Sequence, residues 1–420
     1  MEENNRSAAV QAQYESYPYP ARDPADEVKR LIAGSPSHLL EIAHYLNAGH
    51  LDPGEPFRAL VAGGGTGDAT IMLAQQLVDA GVAAGTVTYL DMSTASRAIA
   101  EARAAARGLT NIRFVTGEIE AVGQFCPGPY DYIDCCGVLH HLAEPEKGLR
   151  ALAEQLTARG GMGLMVYGAL GRRGVYDIQE AMRLLADGDG DVDRLAIVRR
   201  LLEGLPQSHW LRRNPFVGDH FQGGEAGLYD LLLHRRDRAY TVPTLLSFLQ
   251  AGGMRPVGFI APAQYDPRHF LVDPELGARA AALPIAEQWS LAEQLSGALT
   301  KHIVYVVSVG RSDDPVAQLD KNWREMIPVF RDLDPAVVSR GIRSDGELKA
   351  DLAPGQPYRA PLPTLAPAIA ALVDGRRTLG RICETLRADA DAGSYDDNFF
   401  QQFEVFYHAF SGINRLLLCR

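Results

Sequence analysis

Glycines occupy alternate positions in Leu60-Val61-Ala62-Gly63-Gly64-Gly65-Thr66-Gly67, directly after a short apolar run. At a turn from strand into helix, Gly63, Gly65 and Gly67 would let a cofactor approach the backbone. The dinucleotide fingerprint would put its third glycine where Asp68 stands. The segment also reads as an ordinary glycine-rich turn. Asp91 ends the next apolar run, where one carboxylate can accept both hydroxyls of a sugar diol. Its other use is to cap the following helix, with Ser93 competing for that role. Met92 is grouped with Asp91 as a contact residue. Glu118 and Ile119 follow a third run; the carboxylate can accept from the exocyclic amine of adenine and the isoleucine can pack on its ring, or Glu118 simply sits in a surface turn. A fourth run leads into Cys136-Gly137-Val138-Leu139-His140-His141. Imidazole titrates near neutrality, so the paired histidines can orient an acceptor or take its proton. At least one of them is expected to pack or cap. No third histidine or carboxylate lies at ligand spacing, so no metal site is expected.

The elements that must position these residues alternate. Strands are expected at 57–62, 86–90, 112–116, 130–135 and 161–167. Helices are expected at 37–47, 69–80, 94–107 and 148–156. Near-continuous apolar strands between helices indicate a parallel sheet covered on both faces. Residues 168–238 break the pattern and read as a helical insertion after the fifth strand. Strands at 255–260 and 301–309 then complete the sheet. The insertion is expected at the carboxyl edge of the sheet, where ligands bind. It carries Tyr176, His209, Trp210, Arg212, Arg213, His220, Tyr229, His234, Arg235 and Arg236, side chains suited to an anionic or aromatic acceptor.

The expected division is an N-terminal arm and helix (1–50) over the cofactor site, an α/β domain (51–312), and a small α+β accessory domain (313–420). Proline-rich loops at 354–367 mark a boundary, so a chain ending at Ser312 is expected to fold. Two helices around Asp374-Gly375 and an aromatic helix from Phe399 follow, the latter burying its face most readily in its own core.

The 420 residues carry a formal charge of -11, which disfavours a nucleic-acid backbone as the main partner. Cys126, Cys135, Cys136, Cys383 and Cys419 fit neither a zinc spacing nor a disulfide framework. With no apolar run long enough to cross a bilayer, the reading is a cytoplasmic protein without a membrane partner.

In this order, the four motifs resemble the class I S-adenosylmethionine-dependent methyltransferases. The resemblance implies a doubly wound, seven-stranded, mostly parallel α/β sheet with its last strand antiparallel, and S-adenosylmethionine as cofactor. By the match, Gly63, Gly65 and Gly67 form the cofactor loop, Asp91 holds the ribose, Glu118 the adenine, and Cys136 to His141 border the methyl group. Val61 stands where the family commonly has an acid, so Asp68, backbone carbonyls or the N-terminal segment would hold the methionine amine. Tyr17-Pro18-Tyr19-Pro20 is similar to the lead-in of some bacterial methyltransferases that lies across the cofactor site. The implied activity is methyl transfer to an oxygen or nitrogen of a small-molecule or peptide/protein acceptor. His140, His141 and Tyr167 are the catalytic candidates, with His220 or His234 joining from the insertion. A regulatory protein on the same scaffold is the alternative, and a homodimer is among the expected assemblies. Ala371 to Ile382 resemble small winged-helix domains related to the peptide-binding chaperone of pyrroloquinoline quinone synthesis.

Overall fold

The computed structural model describes residues 12, 14–82, 84–186, 188, 190–218, 224–234, 236–342, 346–387 and 392–420. Eight strands form one sheet: β1 (Phe57–Ala62), β2 (Gly85–Asp91), β3 (Ile112–Thr116), β4 (Tyr130–Cys136), β5 (Leu156–Gly168), β6 (Ala239–Tyr240), β7 (Met254–Ile260) and β8 (Lys301–Ser308). Their order is β3-β2-β1-β4-β5-β8-β7, with β6 paired to β5. The first five strands run parallel, and β8 lies antiparallel to β5. This is the expected doubly wound sheet plus one two-residue strand.

Burial explains the strands. Residues Ala59 to Ala62 of β1 are at most 1% exposed, as befits a strand covered on both faces. The helix Asp68–Asp79 turns Ile71, Leu73, Ala74 and Leu77 inward. In the helix Thr94–Arg107, Ser93 accepts from the Ser96 N–H at one end and Gly108 closes the other at φ 68°. Ser93 is therefore the cap, which leaves the Asp91 carboxylate for other partners.

The insertion contains the helices Val175–Ala186, Asp191–Gly204, Trp210–Arg213 and Gly224–Leu232. Val175, Ile178, Met182, Val198 and Leu228 give it a core of its own. It leaves β5 at Gly168 and returns through β6, which pairs Tyr167 with Ala239 and Gly168 with Tyr240. Both ends are thus tied to the carboxyl edge of β5.

The chain forms two compact units whose boundaries differ from the expected ones. The sheet unit comprises the described residues up to His38, Pro53–Pro256 and Gly297–Arg311. The other comprises Leu39–Asp52, Val257–Ser296 and Ser312–Arg420. The helix Leu39–Leu46, expected with the N-terminal arm, belongs to this second unit. The physical reason is Glu41, which is wholly buried and meets Arg331 at 2.5 Å. Asn414 donates to the same carboxylate, and His44 Nδ1 accepts from the Leu418 N–H at 3.1 Å. A carboxylate in an apolar helix requires such partners, and the C-terminal segment supplies them.

In this unit β9 (Ile327–Phe330) pairs antiparallel with the final strand, β12 (Leu416–Cys419), and β10 (Glu347–Ala353) with β11 (Gln356–Pro361). The hairpin replaces part of the expected proline-rich loop. Pro357 and Pro361 are tolerated because, among the described residues, β11 pairs only with β10 and so lies at an edge. Helices Ala366–Leu372 and Leu379–Leu386 flank the Asp374-Gly375 turn. The long helix Ala392–Ser411 buries Phe399, Phe403, Phe406 and Phe410 with Met326 and Ile382.

Candidate functional site

Gly63, Gly65 and Gly67 all have positive φ, at 78°, 50° and 101°. Side chains are strained there. Space forbids them as well: a Cβ on Gly63 would stand 2.3 Å from Val138, and one on Gly64 2.3 Å from the Tyr89 ring. The loop is fastened to β2. Gly63 N donates to Leu90 O at 2.7 Å, and the Tyr89 hydroxyl donates to Gly65 O at 2.7 Å. Asp91 Oδ2 accepts from Gly65 N at 2.8 Å, and Oδ1 accepts from Ser93 N at 2.8 Å. Burial raises its carboxyl above the usual range, against backbone donors that include Met92 N–H. Register places Asp91 opposite Thr116, so the ends of β2 and β3 are level. Beyond β3, Glu118 is exposed and Ile119 is buried.

Asp68 is held by protein cations. Arg22 Nε and Nη2 donate to it at 2.8 and 2.5 Å, and Arg103 Nη1 at 2.7 Å. Burial would raise this carboxyl, but the arginines outweigh burial and hold it low. Asp68 therefore anchors the N-terminal arm. That arm crosses the loop, where Thr66 Oγ1 donates to Pro20 O at 2.7 Å. Glu15 accepts from Thr94 N at 2.6 Å and Ala95 N at 3.1 Å, at the positive end of the next helix. Tyr17 stacks on Tyr229 of the insertion, their centroids 5.5 Å apart.

A second polar group gathers where β4 and β5 end. Gly137, at φ 79°, turns the chain into the short helix Leu139–His141. The His140 ring lies 4.1 Å from the His141 ring and 4.0 Å from the Tyr167 ring. His141 stacks on His234 at 3.9 Å. The Tyr167 hydroxyl donates to Asp230 Oδ2 at 3.0 Å, and the Tyr14 hydroxyl to Oδ1 at 3.4 Å. The Arg172 guanidinium sits 3.6 Å from the Tyr167 ring centroid and pairs with Asp237 at 3.3 Å. Burial drives His140 and His234 well below the usual imidazole range, so both are neutral. Burial, then the Asp230 charge, pushes the Tyr167 hydroxyl far up. Burial likewise keeps Cys136 a thiol.

The fold thus brings His140, His141, Tyr167 and His234 together, with Tyr176 attached through Arg172 at 3.2 Å. It places others elsewhere. His209 accepts from Leu211 N at 3.1 Å, Arg212 and Arg213 donate to backbone carbonyls, and Trp210 is exposed. Tyr229 donates to Asp191 at 2.6 Å, and the Arg236 backbone contacts both His141 and His234. His220 and Arg235 lie outside the described residues. Sequence reasoning missed Tyr14, Arg172, Asp230 and Asp237. Asp230 alone had a signal, as one acid inside Leu228-Tyr229-Asp230-Leu231-Leu232-Leu233.

A family model described as a methyltransferase domain matches residues 60–162. An uncharacterized protein of Synechococcus sp. is 32% identical over 323 residues, covering 74% of this chain and 73% of that protein. Among solved structures, PKMT2 from Rickettsia typhi is similar, with a TM-score of 0.61 at 13% identity over 91% of this chain and 76% of its own. Its complex with AdoHcy gives a TM-score of 0.58 at 13% identity, over 96% and 76%.

Proposed function

Because this chain belongs to the class I S-adenosylmethionine-dependent methyltransferases, we propose that it is a working enzyme of that family, moving a methyl group to an oxygen or nitrogen nucleophile of a small-molecule or peptide/protein acceptor. S-adenosylmethionine supplies a methyl group already activated on a sulfonium. The observation that carries the proposal is the pairing of two sites on one sheet edge. The Gly63–Gly67 loop follows β1 and Asp91 ends β2, while His140 follows β4 and Tyr167 lies at the end of β5. In the sheet β2, β1, β4 and β5 are successive neighbours, so the residues of the two sites are separated by one to three strand spacings, about 5–15 Å.

The residues present fit the cofactor. Cβ atoms at positions 63 and 64 would collide with Val138 and Tyr89, so the loop backbone lies bare. Asp91 has spent only part of its acceptor capacity on backbone donors. In this reading Gly63, Gly65 and Gly67 line the amino-acid end, Asp91 with Met92 takes the ribose, Glu118 and Ile119 the adenine, and Cys136 borders the reacting carbon. Asp68 acts by holding Arg22 and the arm.

Positioning the acceptor in line with the methyl carries much of the rate. An imidazole of the pair, His140 or His141, can take a proton from it, and Tyr167, tied to Asp230, can orient it. The experiment is calorimetry with S-adenosylmethionine, followed by a screen of acceptors. The wild-type chain binds, and Asp91→Ala loses about 2–3 kcal/mol of binding free energy. Equal affinity in Asp91→Ala would remove the ribose assignment. A wild-type chain that binds no cofactor would favour the regulatory scaffold.

A further inference from the structure

His140 is 1% exposed, yet neither ring nitrogen has a hydrogen-bond partner among the described residues. The wholly buried Asp237 side chain leaves Oδ1 unpartnered in the same way. Native interiors rarely leave such atoms unmatched, because each has lost its hydration without a replacement bond. One ligand atom each of His140, His141 and Asp237 lies within 4.8 Å of the other two. We infer that these three side chains form a binding site for a divalent transition-metal ion of the zinc and ferrous class.

The surroundings match what such ligands need. His141 Nδ1 faces the Arg236 carbonyl at 2.9 Å. A carbonyl only accepts, so Nδ1 carries the proton and Nε2 offers its lone pair. Ligating histidines commonly donate their second N–H to a carbonyl in this way. Asp237 Oδ2 accepts from Gln179 Nε2 at 3.0 Å and from Arg172 at 3.3 Å. Those bonds orient the carboxylate and leave Oδ1 free. Two imidazoles and one carboxylate suit zinc or ferrous ions better than magnesium or calcium, which prefer oxygen ligands. Three protein ligands leave coordination positions open for water or an acceptor oxygen. Two acidic side chains, Asp230 and Asp237, stand in the nest against one guanidinium, Arg172.

A neighbouring trio, His141, Asp230 and His234, also lies within 4.8 Å. It is the weaker candidate. His234 Nδ1 accepts from Arg236 N at 3.1 Å, which leaves the ring proton on Nε2. Both Asp230 oxygens already accept from tyrosines.

This inference goes beyond the methyltransferase reading, because metal binding requires neither cofactor nor acceptor, and with an ion bound His140 and His141 are its ligands and not proton acceptors. The full chain, stripped with a chelator, is titrated with Co²⁺ and followed by its visible absorption and by calorimetry. The expected result is one ion per chain with a nitrogen/oxygen cobalt spectrum. His140→Gln and Asp237→Asn should bind at least about 100-fold more weakly, and Gln179→Ala about 10-fold. S-adenosylmethionine titrations of the stripped proteins keep the two readings separate and report whether each variant is folded. Wild-type cobalt binding no tighter than that of a folded His140→Gln variant overturns the site. A cobalt–thiolate charge-transfer band would place the ion on a cysteine and overturn it as well.

Discussion

Glu41, His44 and His140 are 0%, 3% and 1% exposed, so burial does not distinguish them. Their partners do. In the C-terminal unit Glu41 meets Arg331 and Asn414, and His44 accepts from the Leu418 N–H. In the sheet unit both His140 nitrogens and Asp237 Oδ1 are left without partners among the described residues. Paired polar groups hold a fold in one arrangement. Unpaired ones cost stability, and their persistence points to a use outside folding. Buried polarity therefore separates architecture from chemistry only when each atom is followed to its partner.

Removing a partner from the paired region has the largest expected effect. Arg331→Met strands the Glu41 carboxylate and should lose about 3–5 kcal/mol in denaturant melts. Adding Glu41→Gln to it should restore much of that loss. A chain ending at Ser312 lacks Arg331 and Asn414 together, so it should be insoluble, contrary to the sequence-based expectation. If the single variant melts like wild type, the pair is not structural.

Acid gives the next effect. Burial lowers His44 to about 4, from its ordinary 6.5. The unfolded chain thus binds this proton more readily than the folded one between those two values. The contribution is complete above about pH 6.5 and falls away as pH drops toward 4, by about 3 kcal/mol in all. Melting curves across this window should slope less in His44→Gln than in wild type; parallel slopes would mean that His44 is not the group responsible.

The smallest effect has the opposite sign and sharpens the contrast most. His140→Leu removes two unmatched polar atoms at similar volume, so in metal-free buffer it should be more stable than wild type by about 1 kcal/mol. A marked loss of stability would show that His140 is paired in solution and belongs with the architecture.

The sequence alone determined the parts whose cause is local. Apolar runs alternating with helical periods specified the parallel sheet and the insertion after β5. The Gly63–Gly67 turn was legible because it is built from backbone conformations at adjacent residues, with positive φ at Gly63, Gly65 and Gly67. The hairpin of β10 and β11 was hidden by prolines that an edge strand tolerates, and β6 is too short to show a period. The second site had no signature, because it is made by side chains meeting from Tyr14, His140, Tyr167, Arg172, Asp230 and Asp237. No spacing rule links such positions. Only the return of the insertion to the edge of β5 brings Asp230, His234 and Asp237 onto His141 and Tyr167. The helix Leu39–Leu46 was likewise legible as a helix, but its placement was decided by Arg331 and Asn414, since a buried charge settles where its counter-charge is.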